Sequence, residues 1–152
     1  MNEILLSSHS WLRWIVLLLF FAVIARSFSG YRSGRIYDAL DKRWNTLLLA
    51  SVHTQALLGL ILYFTSDMMR NIFADFGGSM KNSDSRFWSV EHITVMLISV
   101  ILTQVGSIRV RKQIDDRSKF RTAYIYYGIA LLLILLMIPW GIWNAERPLF
   151  RM

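Results

Sequence analysis

The sequence predicts an all-α, polytopic membrane protein: an up-and-down bundle of four transmembrane helices with both termini on the periplasmic side. Three observations predict it. Of 152 residues, 55% are hydrophobic, and the mean hydropathy is +0.40. The apolar residues are gathered into four blocks, 4–28, 46–65, 88–108 and 122–143, each close to the roughly 20 residues that cross a bilayer. Basic residues crowd alternate connections between the blocks. The length is that of one domain, with no internal repeat and no segment resembling a soluble domain.

The first block contains LLLFFAVIA (17–25), which has no polar outer face. Met-Asn-Glu precedes it in place of a basic region, and no small-residue cleavage site follows. It therefore reads as a retained span, not a cleaved signal peptide. Ser29-Gly30-Tyr31-Arg32-Ser33-Gly34 punctuates its exit. The second block leads into MMRNIFADF (68–76), which reads as a short interfacial helix before the breaks at Gly77-Gly78 and 82–85. The third block carries His92, Ser99, Thr103 and Gly106 at helical spacing, with Val95 and Met96 on the same side. Small and hydroxyl residues favour close packing in membranes, so this stripe reads as a packing face that turns His92 into the bundle. The fourth block has Pro139 near its outer end, where it is expected to kink the helix.

The net charge of +7 follows from topology. Arg26, Arg32, Arg35, Lys42 and Arg43 surround the first connection, and Arg109, Arg111, Lys112, Arg117, Lys119 and Arg121 the third. The second holds only Arg70, Lys81 and Arg86, diluted by Asp67, Asp75 and Asp84. The positive-inside rule places the first and third connections in the cytoplasm of a bacterial inner-membrane protein. The charge thus points to anionic lipid heads of the bilayer and not to nucleic acid. Aromatic belts agree, with Trp11, Trp14, Trp88, Trp140 and Trp143 toward the outer side and Tyr124, Tyr126 and Tyr127 toward the inner. With no cysteine, the chain has no disulfide, no thiolate metal site and no covalently attached c-type haem.

All three histidines, His9, His53 and His92, lie in or at the lip of the apolar blocks. Imidazole is costly to bury in hydrocarbon without a partner or a role, and it is a common ligand of haem iron. At 1.5 Å per residue, His9 lies about 8 Å and His92 about 6 Å below the outer edge of the core. Helices one and three face each other across an up-and-down bundle. Two level imidazoles on facing helices suit both axial positions of one haem, an arrangement that transfers electrons. His53 lies about 18 Å from that edge. It reads as a residue of the macrocycle's far edge, of a quinone pocket or of a hydrogen bond through Gln55, and its pairing with His92 in place of His9 stays open.

Arg13 follows His9 by four residues on the same helix face, and Glu91 directly precedes His92. A buried guanidinium calls for an anion. Two readings stand: Arg13 neutralises a haem propionate, or it forms an ion pair with Glu91 that locks helices one and three. A non-haem metal is the weaker expectation, because no Glu-x-x-His repeat of the di-iron type occurs. No nucleophile accompanies the histidines, so no catalytic residue is assigned.

The blocks His9-Ser10-x-x-Arg13-Trp14, His53-Thr54-Gln55-x-Leu57-Leu58-Gly59-Leu60-x-Leu62-Tyr63 and Arg86-Phe87-Trp88-x-x-Glu91-His92 stand out, with Tyr127-Gly128-Ile129-Ala130-Leu131-Leu132-Leu133 and Ile138-Pro139-Trp140. In these the chain resembles, over nearly its whole length, a group of small four-helix membrane proteins of Bacteroidetes commonly labelled "cytochrome b". The resemblance implies a membrane-embedded b-type haem protein and identifies no substrate.

Two functional expectations follow. The first is a membrane b-type cytochrome, an electron carrier or haem subunit more than a stand-alone enzyme. It would hold non-covalent haem b near the periplasmic face and pass electrons to a redox partner, with quinone as a second candidate ligand. The second is a cofactor-free interaction or assembly subunit of a larger membrane complex, with the His/Arg/Glu cluster as a buried polar lock. Transport is a weaker expectation, since no span is interrupted in the manner that builds midplane substrate sites.

Overall fold

The computed structural model describes residues 2–140. Every element among them is helical: α1 (Asn2–Ser33), α2 (Ala39–Thr65), α3 (Asp67–Ala74), single turns α4 (Phe76–Ser79) and α5 (Ser83–Arg86), a π-helical turn (Phe87–Glu91), α6 (His92–Lys112) and α7 (Asp116–Met137). α5, the π turn and α6 run on as one 30-residue helix. The four long helices form a bundle, and each is long and apolar enough to cross a membrane.

The second and fourth long helices start ahead of their apolar blocks because polar caps, not hydropathy, begin them. Asp38 caps α2 in a capping box with Asp41, each side chain accepting the other residue's N–H. Asp115 caps α7, and the Ser118 N–H that it accepts at 2.8 Å holds its carboxyl below the ordinary aspartate range. The interfacial segment is helical from Asp67, one residue ahead of the block predicted for it, because the Ser66 hydroxyl accepts from Met69 N and starts the turn. Met69 and Ile72 are its buried side.

Pro139 does not kink the fourth helix. Ile138, directly before it, is extended (φ −73°, ψ 133°), so α7 stops at Met137. A residue preceding proline is held out of the helical region by the proline ring. The last part of the predicted span, 141–143, and Trp143 lie outside the described residues.

Short connections turn the chain back twice, and His9–Gln55 and Arg26–Asp41 contacts mark α1 and α2 as antiparallel. α1 packs on α2 and α7, and α6 packs on α7 and more thinly on α2. α1 and α6 are therefore diagonal, as the sequence predicts. The small-residue stripe of α6 explains its tight pairing with α7. A Cβ built on Gly106 would lie 2.6 Å from Tyr126 Cβ, so only glycine permits the approach. Ser99, Thr103 and Ser107 are buried along the same face.

The bundle end opposite the N-terminus is closed by polar contacts. Buried Asp41 accepts from Arg26 Nε at 2.6 Å and from Arg35 Nη1 and Nη2 at 2.6 and 2.7 Å. Fully buried Tyr127 donates a hydrogen bond to Asn45. Tyr127 is thus a core residue and not part of an aromatic belt. It shares a helical face with Phe120, Ala123, Ala130 and Ile134, whereas Tyr124 packs on Phe28 and Tyr31 outside the core.

Candidate functional site

Loose packing between α2 and α6 leaves a cavity of about 430 Å³ in the half of the bundle that carries the N-terminus. That size is within the ordinary range of small-molecule and cofactor sites, roughly 300–1,000 Å³. Its walls are mostly aliphatic: Val16, Val52, Leu60, Met96, Val100 and Ile134 are among them. The start of α3, from Ser66 to Met69, covers one side. His9, Arg13, Gln55 and His92 are among the polar groups set into this apolar wall, with buried Ser10 and Ser99 and exposed Glu3 and Asp67 also lining it.

His92 is oriented by two irregularities. The π turn before it makes the His92 N–H donate to the Phe87 carbonyl, five residues back. π-helical turns are rare and are frequent at functional sites. Tyr63 clamps the turn from α2, donating its hydroxyl to the Ser89 carbonyl at 2.8 Å. Phe87 and Trp88 pack on the imidazole, with centroids 5.8 and 5.3 Å away. The second irregularity is the end of α7: a helix leaves its last carbonyls without intrahelical partners. His92 Nδ1 lies 3.1 Å from the Met137 carbonyl oxygen. A carbonyl only accepts, so Nδ1 is the donor in this hydrogen bond. An imidazole fixed in this way, with one nitrogen bonded to a backbone carbonyl, is the usual arrangement of a metal-ligating histidine.

His9 packs directly against α2 and lines the cavity beside it. Gln55 Nε2 donates to the His9 carbonyl at 2.9 Å and lies 3.3 Å from His9 Nε2. Gly59, one turn beyond, makes room for the ring: a Cβ there would lie 3.1 Å from His9 Cε1. His9 Nδ1 and Gln55 Oε1 are buried with no hydrogen-bond partner among the described residues. An unsatisfied buried polar atom costs about 1–3 kcal/mol. Both residues line the cavity.

Arg13, one turn below His9, also lines the cavity, and its guanidinium carbon is 5.4 Å from the Trp14 ring centroid. Glu91 takes Arg86 as its ion-pair partner at 2.8 Å and does not line the cavity. His53 is exposed on the outer surface of α2 and does not line the cavity either. The helical step explains both. Val52 and Gln55 define the inward face of α2, and each residue turns the side chain by about 100°, which carries His53 outward. Glu91, adjacent to His92, is turned away in the same manner. The structure thus brings together His9, His92 and Arg13, and leaves His53 and Glu91 outside.

Gly59 and the Met137 carbonyl are members of the site that the residue pattern does not single out, and Gln55, expected as a partner of His53, bonds His9 instead. Gln55 carried a signal, being an amide in the middle of an apolar span. The Met137 carbonyl carried an indirect one in Pro139.

The residues present fit a haem. His92 and His9 stand on diagonal helices and both line the cavity, Arg13 can meet a propionate, and most of the remaining wall is apolar. Among the described residues no group of three or more His, Asp or Glu is placed to hold a bare metal ion. The chain matches no protein-family model, no curated protein sequence and no solved structure.

Proposed function

We propose that this is a multi-pass bacterial inner-membrane protein with both termini in the periplasm, and that it is a b-type cytochrome. Its electron-transferring haem b would be held by His9 and His92 near the periplasmic face. The observation that carries this reading is the His92–Met137 hydrogen bond, which fixes the imidazole in the wall of a cavity that His9 and Arg13 also line. The alternation of basic connections supports the orientation, and the sequence resemblance supports the haem.

Haem, when bound, supplies a one-electron couple. The chain's own residues do the rest. His92 holds the ligating geometry through Met137, and the π turn fixes the depth of its ring. Arg13 places a positive charge in the wall, where it neutralises a propionate and favours the group's acidic edge on its side. The aliphatic lining from Val16 to Ile134 excludes water, which lowers the local dielectric around the iron ligands. His9 is shared between the cavity and Gln55, so binding asks Gln55 to release Nε2 while keeping the His9 carbonyl.

The Gln55–His9 contact also favours a second reading. The two imidazoles can serve as a polar lock in a cofactor-free subunit of a larger membrane complex. A quinone ring is a second occupant of suitable polarity. Haem quantification separates them: the protein is purified from haem-sufficient cells, and pyridine haemochrome is measured against protein. The cytochrome reading expects one haem b per chain. Haem far below that ratio, in folded protein also supplied with haem in vitro, rejects it, and quinone extracted with the protein then separates a quinone site from the lock.

A further inference from the structure

Of the four long helices α2 is the least buried. Its outward face carries Leu47, Ala50, His53, Thr54, Leu57 and Ile61, all exposed. In a membrane-spanning bundle this face meets lipid, and His53 lies about 12 Å inside the core from its inner edge. Ionisable residues in membrane spans almost always face a bundle interior or a water-filled cavity. An imidazole on the lipid side at that depth calls for a covering partner.

We propose that this face of α2 is the contact surface of a parallel homodimer. Two copies inserted with the same topology can be related by a two-fold axis only along the membrane normal. Such an axis sets each residue opposite itself at equal depth. His53 then meets His53 of a second copy, and a neutral imidazole is both donor and acceptor, so it is its own complement. No Asp, Glu, Lys or Arg occurs between 44 and 66, so the face asks for no oppositely charged partner. Ala50 and Thr54, four residues apart, let two backbones approach closely, as small residues do at helix contacts in membranes. The Thr54 hydroxyl is already bonded to the Ala50 carbonyl at 2.9 Å, which leaves the threonine surface apolar. The dimer does not depend on what occupies the cavity.

The absence of cysteine makes the test clean. Ala50→Cys, Leu57→Cys and, as a control on exposed α7 surface, Ile129→Cys are each treated in native membranes with a short membrane-permeant bis-maleimide. The two α2 variants are expected to give a cross-linked homodimer and the control is not. In a dilution series of detergent-solubilised protein, His53→Leu is expected to weaken self-association roughly 3- to 20-fold, the scale of one interhelical hydrogen bond. Equal cross-linking at Ile129, no cross-linking at either α2 position in folded protein, or products joined only to a different protein would overturn the homodimer.

Discussion

His92 Nδ1 lies 3.1 Å from the carbonyl oxygen of Met137, the last residue of α7. This one hydrogen bond joins the third long helix to the end of the fourth, and it makes Nδ1 of His92 a donor. The carbonyl is available because Pro139 keeps Ile138 extended and stops the helix. A proline 47 positions away in sequence therefore sets the tautomer of a histidine.

Pro139→Ala is expected to let α7 extend and to draw the Met137 carbonyl back toward helical bonding. His92 then loses its orienting partner. Haem affinity should fall roughly 10- to 100-fold, the usual cost of removing such a partner, with little change in thermal stability. Haem titration followed by absorbance checks it. An unchanged affinity would remove Pro139 and Met137 from the site.

Gly59 is the contact that admits His9. Gly59→Ala puts a methyl group 3.1 Å from His9 Cε1, a crowding that a small ring shift relieves. Gly59→Val cannot be relieved so simply. Haem affinity is expected to fall modestly in the first variant and severely in the second, read by the same titration. Equal, small effects would place His9 outside the binding site.

Gly106 concerns the scaffold. A side chain there meets Tyr126 Cβ at 2.6 Å, and overpacking of this kind costs about 1–3 kcal/mol. Gly106→Val should lower the midpoint of unfolding in detergent while leaving the absorption maxima of any bound haem in place. Altered maxima would mean that the α6–α7 contact governs the site directly.

Asp41→Asn tests the far end of the bundle. It removes the charge that accepts from both Arg26 and Arg35, with an expected loss of about 1.5–3 kcal/mol, the scale of a hydrogen bond to a charged group. Thermal unfolding should show the loss, and haem binding should not change. A change in haem binding without loss of stability would contradict a purely structural role.

Much of this architecture is legible in the residue order. Four apolar blocks are four long helices, and the stripe Ser99–Thr103–Gly106 is the packing face it resembles. That stripe also turns His92 inward. Where the reading stops, the reason is geometric. Hydropathy marks the apolar interior of a span but not its end, so the helix limits set by Asp38, Asp115 and Pro139 differ from the block limits. Depth counted along a helix says nothing of azimuth. His53 therefore reads as a pocket residue until Val52 and Gln55 fix the inward face of α2. Glu91 reads as a partner for Arg13 until the π turn sets it beside Arg86. Backbone groups such as the Met137 carbonyl leave no mark of their own in a list of side chains.

The most direct test of the cytochrome is a dithionite-reduced minus oxidised absorption spectrum of the purified, detergent-solubilised protein, recorded beside His92→Ala. The account predicts sharp low-spin α and Soret bands of b type in the parent protein and their loss in folded His92→Ala. A featureless spectrum from protein produced with added haem, or bands that survive the substitution unchanged, would contradict it.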